Sequence, residues 1–166
     1  MIKIIFKIIT SFLFFVLKFL YLMMFSNSSK YAIKAVLFLA LNSSKENKVM
    51  VKDIAKPINV PQAYIAKLLQ DLARENIISS ERGPKGGFYL NGENRNQSIL
   101  SIIAVINGEE KLRTCMLSLD KCNEDKLCPL HDMLSPSRDK ILKILKNKTI
   151  KDLIVDVELG NTFLPL

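Results

Sequence analysis

The chain has 166 residues, with 24 Lys plus Arg against 16 Asp plus Glu for a formal net charge of +8. That length holds one ordinary domain with an appendage, or two very small ones, which excludes a large multidomain enzyme. Hydrophobic residues at 49% and charged residues at 24% exclude general disorder. The basic excess points to an anionic partner, either nucleic acid or a lipid surface.

Charge is unevenly spread. Residues 1–23 carry Lys3, Lys7 and Lys18 and no acid; residues 26–97 carry 11 basic and 6 acidic side chains; residues 98–166 carry 10 of each. Met1 to Phe25 is apolar at 20 of 25 positions, yet its longest charge-free run, Ile8 to Leu17, spans only ten residues, against the ~20 of a spanning helix. A tilted helix over 4–25 with snorkelling lysines and a basic aromatic helix lying in a membrane interface both remain open. A secretory signal lacks its small-residue cleavage site before Ser26. Translation from an upstream start is the favoured reading, because Met23 and Met24 stand where the soluble pattern begins, with a membrane anchor second.

Ser26 and the Asn that follows cap a largely buried first helix running to Leu41. Asn42 to Lys48 is polar and stops it, Val49 to Val51 is short and apolar, and Lys52 to Lys56 predicts a brief second helix ending before Pro57. Asn59 and Pro61 open a third helix, Pro61 to Asn76, whose Ile65, Leu68, Leu69 and Leu72 form an apolar stripe. Its other side shows Gln62, Ala63, Lys67, Gln70 and Arg74, amide and cationic groups able to read base edges and phosphates in a major groove. Strand character at Ile77 to Ser80, a turn at Arg82 to Gly87 and a returning strand at Phe88 to Leu90 make a basic hairpin. Helix, turn, helix and basic hairpin together predict a winged helix-turn-helix. No Lys followed by Ser or Thr closes the glycine run, so a nucleotide-binding loop is set aside.

Ser98 caps a short apolar helix, Ile99 to Ile106, which stops at Asn107 and Gly108. Cys115, Cys122 and Cys128 then arrive at C-x6-C-x5-C spacing, and the only histidine, His131, follows in Cys128-Pro129-Leu130-His131. A helix starting at Pro129 would put Cys128 and His131 about one turn apart on one side. Three readings compete. Structural zinc takes these donors but prefers tighter cysteine pairs; an iron-sulfur cluster accepts a looser loop and a histidine; disulfides fit poorly with an odd count. Leu134, Ile141, Leu142 and Leu145 form a narrow stripe suited to pairing with the same helix of a second subunit, or to packing on its own domain. Pro136 interrupts that helix, and Thr149 with Asp152 resembles a capping box for a last short helix through Leu153. No helical His-Glu pair, no nucleophile with a matched base and no cofactor loop occurs, so an enzyme is not expected.

These residues resemble the Rrf-two winged-helix regulators of bacteria, which include the IscR and NsrR types. The resemblance is carried by Lys30-Tyr31-Ala32, Tyr64-Ile65 with Leu68-Leu69, the wing from Ser80 to Leu90, Val105 with Gly108, and three cysteines ahead of Pro129-Leu130-His131, over residues 24 to about 155. It implies a mainly α fold with a small β-hairpin wing, so that the chain divides into a hydrophobic N-terminal extension (1–24), which the family lacks, a winged helix-turn-helix DNA-binding domain (25–97) and a cysteine-loop cluster-binding and dimerisation region (98–166). It further implies a cytoplasmic homodimer bound to a near-palindromic duplex DNA operator and controlled by an iron-sulfur cluster that reports iron-sulfur status, nitric oxide or redox stress. Cys115, Cys122, Cys128 and His131 are then the cluster ligands, 2Fe-2S favoured over 4Fe-4S and zinc the alternative. Gln62, Ala63, Tyr64, Lys67, Gln70, Arg82, Lys85 and Gly86 form the expected DNA surface. Two positions depart from the pattern. Lys30 stands where NsrR types use a carboxylate, and Ala66 where IscR types have a glutamate linking site choice to the cluster. The rival is a membrane-tethered or zinc-stabilised winged-helix module acting through protein contacts.

Overall fold

The computed structural model describes residues 25–114 and 128–166. The expected 1–24 extension, with its membrane and upstream-start readings, lies outside the described residues. Helix α1, Asn27–Asn42, begins where the Ser26 hydroxyl accepts from the Ser29 N–H at 3.1 Å. At its other end Asn42 donates to the Phe38 carbonyl (2.8 Å), the Ser43 hydroxyl to Leu39 (2.6 Å) and the Arg95 guanidinium to Ala40 (2.7 Å). The carbonyls of its last turn are thus met by side chains as well as by backbone, Leu39 also accepting from the Ser43 N–H at 2.9 Å. Its Ala32, Ala35, Val36 and Leu39 are fully buried and form the centre of the core.

Helices α2 (Val51–Ile58) and α3 (Gln62–Arg74) end alike. Asn59 (φ 57°) and Asn76 (φ 58°) adopt the left-handed conformation, and the next N–H groups, of Val60 and Ile77, reach back to Ala55 and Leu72. This is the Schellman arrangement, which asparagine accepts at small cost. Asn59 therefore closes α2 instead of opening α3. Helix α2 also runs past Pro57, where the sequence predicts its end. Ile58 is buried, and that burial outweighs the single backbone bond forfeited in the last turn. In α3 the buried residues are Ile65, Leu68, Leu69 and Leu72, the expected stripe.

Ile77 and Ile78 are buried and link α3 to the wing, so strand β1 (Ser79–Glu81) starts two residues later than expected. It pairs antiparallel with β2 (Gly87–Tyr89), Ser79 opposite Tyr89 and Glu81 opposite Gly87. Val49 adds one rung on the other side of β2, exchanging 2.9 Å backbone bonds with Phe88. A short helix α4 (Gly92–Arg95), absent from the sequence reading, follows. Its buried Asn94 accepts from the Asn91 N–H (3.0 Å) and the Ser79 hydroxyl (2.8 Å) and donates to the Asn76 carbonyl (2.9 Å). One amide thereby ties the end of α3 to the base of the wing.

Helix α5 (Ile99–Asn107) is capped by Ser98 and followed by Gly108 (φ 82°), as expected. A 3-10 turn, Glu110–Arg113, buries Leu112. Helix α6 (His131–Asn147) continues through the exposed Pro136 without a break, and α7 (Ile150–Glu158) extends beyond Leu153 because Ile154 is buried. The Thr149–Asp152 capping box is present, with bonds of 2.9 and 3.1 Å. Starts of α5 and α7 are joined by backbone bonds from Ile99 to Lys148 (2.9 Å) and from Ile150 to Gln97 (3.0 Å). One hydrophobic cluster runs from Phe25 to Ile154. On α6, Leu142 and Leu145 join it, while Met133 and Ile144 are exposed. Among the described residues no helix is long and apolar enough to cross a membrane.

Candidate nucleic-acid interface and cysteine site

Burial of the α3 stripe turns Gln62, Ala63, Tyr64, Lys67, Gln70 and Arg74 outward, and all six are exposed. The wing stands beside this face. A groove between them is lined by Gln62, Gln70 and Arg74 of α3, by Glu81, Arg82, Gly83 and Gly86 of the wing, and by Met50, Val51 and Lys52. The structure therefore brings Gln62, Gln70, Arg82 and Gly86 of the expected set around one groove. Ala63, Lys67 and Lys85 are exposed outside it.

Tyr64 has a second task. Its hydroxyl lies 2.6 Å from that of Ser28, and its ring meets Tyr31 edge-on, with centroids 6.0 Å apart, so it also fastens α3 to α1. Arg74 is partly occupied by Asp71 at 3.1 Å, leaving Arg82, Lys52, Lys56, Lys67 and Lys85 among the cations facing outward. Lys52, at the start of α2, is missing from the expected set. Only the fold brings it to the groove.

Two wing glycines are required by close backbone approach. A Cβ on Gly86 would strike the Glu81 carbonyl oxygen and lie 2.9 Å from the Arg82 carbonyl carbon; one on Gly87 (φ 154°) would lie 2.7 Å from the Val49 oxygen. The Gly86 N–H closes the tip on the Gly83 carbonyl at 2.9 Å. The tip is thus a tight, narrow projection with basic side chains, a shape able to approach a phosphate or a minor groove.

Of the expected metal ligands, Cys115 and Cys122 lie outside the described residues. Cys128 is half-buried, and its carbonyl accepts from the His131 N–H at 2.9 Å in the turn that leads into α6. The two positions are therefore one turn apart, although α6 begins at His131 and not at Pro129. Among the described residues no group of three metal-ligating side chains is assembled. The carboxylates held below their ordinary range, Glu46 and Asp152, belong to a turn and a helix cap. In Glu46 the main cause is its own backbone N–H, followed by the Ser44 hydroxyl.

A family model, Rrf2, described as an iron-dependent transcriptional regulator, matches residues 25–156. A protein of Aquifex aeolicus described as an HTH-type transcriptional regulator is 35% identical over 134 residues, covering 80% of this chain and 92% of that one. The HTH-type transcriptional regulator IscR of Pectobacterium atrosepticum is 28% identical, covering 84% of each. Among solved structures, CymR, the global cysteine regulator of B. subtilis, superposes with a TM-score of 0.63 at 24% identity, covering 79% of this chain and 95% of that one.

Proposed function

The chain belongs to the Rrf2 family of winged-helix, DNA-binding transcriptional regulators, and from that membership we propose that it is a cytoplasmic homodimer whose hold on DNA is set by an iron-sulfur centre. The observation that carries the DNA half is the groove between α3 and the wing. Helix α3 enters the major groove with Gln62, Ala63, Tyr64, Lys67 and Gln70 toward the bases and backbone. Arg82, Lys85 and Gly86 meet the adjacent minor groove or phosphates. A two-fold dimer requires a near-palindromic operator, and the exposed Met133 and Ile144 of α6 give it an apolar face to share.

The donor set supports the sensor half. Three thiols and the single imidazole supply four ligands of the kind a cluster takes, and Cys128 and His131 lie across one turn at the start of α6. Cys115, Cys122, Cys128 and His131 would hold the centre, a 2Fe-2S cluster in preference to 4Fe-4S. When bound, it supplies redox- and nitric oxide-sensitive iron. The chain's own part is the link between the cysteine loop and α5, which packs on both α1 and α3. Ligation would tie the chain after α5 to the start of α6 and so set the spacing of the two reading heads. The IscR relative and the iron-dependent description of the family model favour this reading.

Anaerobic purification with an absorption spectrum and iron, sulfide and zinc analysis tests it. Equimolar iron and acid-labile sulfide are expected; a colourless zinc protein overturns the sensor half. Affinity for the operator should fall steeply as salt rises.

A further inference from the structure

Helix α2 buries Ile54, Ala55 and Ile58. Lys52 and Lys56 precede Ile54 and Ile58 by two residues each, which in an α-helix puts both on the side turned away from the core, and both are exposed. Four residues apart, they rise one above the other with Cβ atoms about 5–6 Å apart. Both line the cleft between α2 and the start of α3, which Asn59, Pro61 and Gln62 complete. Lys52 and Gln62 also line the groove between α3 and the wing, together with Arg82. Cleft and groove are therefore continuous, and Lys56, Lys52 and Arg82 follow one another along them past the first residue of α3.

The fold makes no use of these two charges. Lys48 is held by Glu81 at 2.8 Å and Arg74 by Asp71 at 3.1 Å, whereas among the described residues no carboxylate pairs with Lys52 or Lys56. Asp53, the one acid of α2, lines neither the cleft nor the groove. Lys52 also stands in the first turn of α2, at the positive end of the helix dipole, where a cation costs stability.

We propose that Lys52 and Lys56 form a phosphate clamp that extends the DNA interface onto α2. Their ammonium groups bind neighbouring phosphates of the strand that borders the major groove entered by α3, on the side of Gln62. The helix that precedes a reading helix lies across the DNA backbone, which brings phosphates and not bases to this face. Phosphate contacts carry no sequence information, so the clamp fixes the register of α3 and adds affinity to every duplex alike. The inference rests on α3 and the wing being the DNA interface.

The test uses the full chain and fluorescence anisotropy over a salt series on two duplexes, an operator selected by the wild-type protein from a random library and a scrambled duplex. Lys52→Ala/Lys56→Ala should weaken both duplexes by the same factor, about tenfold or more at low salt, and keep their ratio within about twofold. The slope of log affinity against log salt should become shallower by about two for each bound subunit. Ethylation of the clamped phosphates should weaken the wild type and leave the double variant indifferent. Lys146→Ala/Lys151→Ala removes the same charge from the C-terminal third and should leave the slope unchanged. An unchanged slope for the α2 variant, a loss confined to the operator, or an equal loss in the C-terminal variant overturns the proposal. Arg82→Ala is the separate control: if it too leaves both affinities unchanged, the interface reading itself is wrong, whereas a loss there with none at α2 removes the clamp alone.

Discussion

The reading head and the C-terminal third are built by different means. In the head, residues 26–97 carry a net charge of +5, and helices α2 and α3 end in local caps that fix where the next segment begins. Asn59 and Asn76 turn the chain out of α2 and α3, and Asn94 bolts α3 to the wing. Beyond Gln97 the charges balance, and the described helices are held by apolar packing and by the backbone ladder between the starts of α5 and α7. The head's chemistry thus resides in where the fold places ordinary residues. The chemistry proposed for the other region resides in the rarity of its residues, three thiols and one imidazole.

The sharpest way to break this contrast is to remove one function and ask whether the other survives. Replacing Cys115, Cys122 and Cys128 together by Ser should abolish bound iron while leaving the thermal melt of the head within a few degrees, since all three positions lie outside residues 26–97. Arg82→Ala should do the reverse, keeping iron content and losing roughly tenfold or more in operator affinity. If Arg82→Ala also loses iron, or the triple variant also destabilises the head, the two regions are not separable in the way the packing implies. Metal analysis and anisotropy on the same preparations decide it.

A smaller effect tests the bolt inside the head. Asn94→Ala strips partners from the Asn76 carbonyl, the Ser79 hydroxyl and the Asn91 N–H. Asn94 is buried but Asn76 and Asn91 are exposed, so water replaces part of what is lost and the cost is about 1 kcal/mol, a drop of a few degrees in Tm for a chain of this size. Calorimetry reads the loss, and it should be accompanied by faster hydrogen exchange in β1 and β2 but not in α7.

What was legible in the sequence follows the range of each signal. The α3 stripe, the Ser98 cap and the Thr149–Asp152 box are patterns within a few residues, and the structure contains them as read. Rrf-two membership was legible because it combines the wing glycines with the cysteine run, and the family match agrees. The Asn94 bolt, the Val49 rung and the Lys48–Glu81 pair were not legible. Each joins residues far apart in the chain, and Val49 stands in a run too short to signal a strand. Pro57 misled because local backbone chemistry argued for an ending that burial of Ile58 overrode. The proposed cysteine ligands are legible as residue types alone, since spacing carries no coordination geometry.

The smallest expected effect lies at the seam between the two regions. Asp152 is held below its ordinary carboxylate value, first by the Thr149 backbone N–H and then by the Thr149 hydroxyl. A carboxyl whose folded value is depressed adds stability above its unfolded value, near 3.8 here, and loses it as pH falls through the folded value. Asp152 is fully exposed, so the contribution is slight and local. At neutral pH Asp152→Asn should speed amide exchange at the start of α7, residues 150–153, and barely move the melting of α3. As pH falls below about 4 the wild type should loosen at the same amides and the difference between the two proteins should close. A difference that persisted unchanged to pH 2 would mean that the Asn variant disturbs α7 through packing and not through the lost charge. The Ser98–Thr149 ladder would then hold α7 in place without help from this carboxylate.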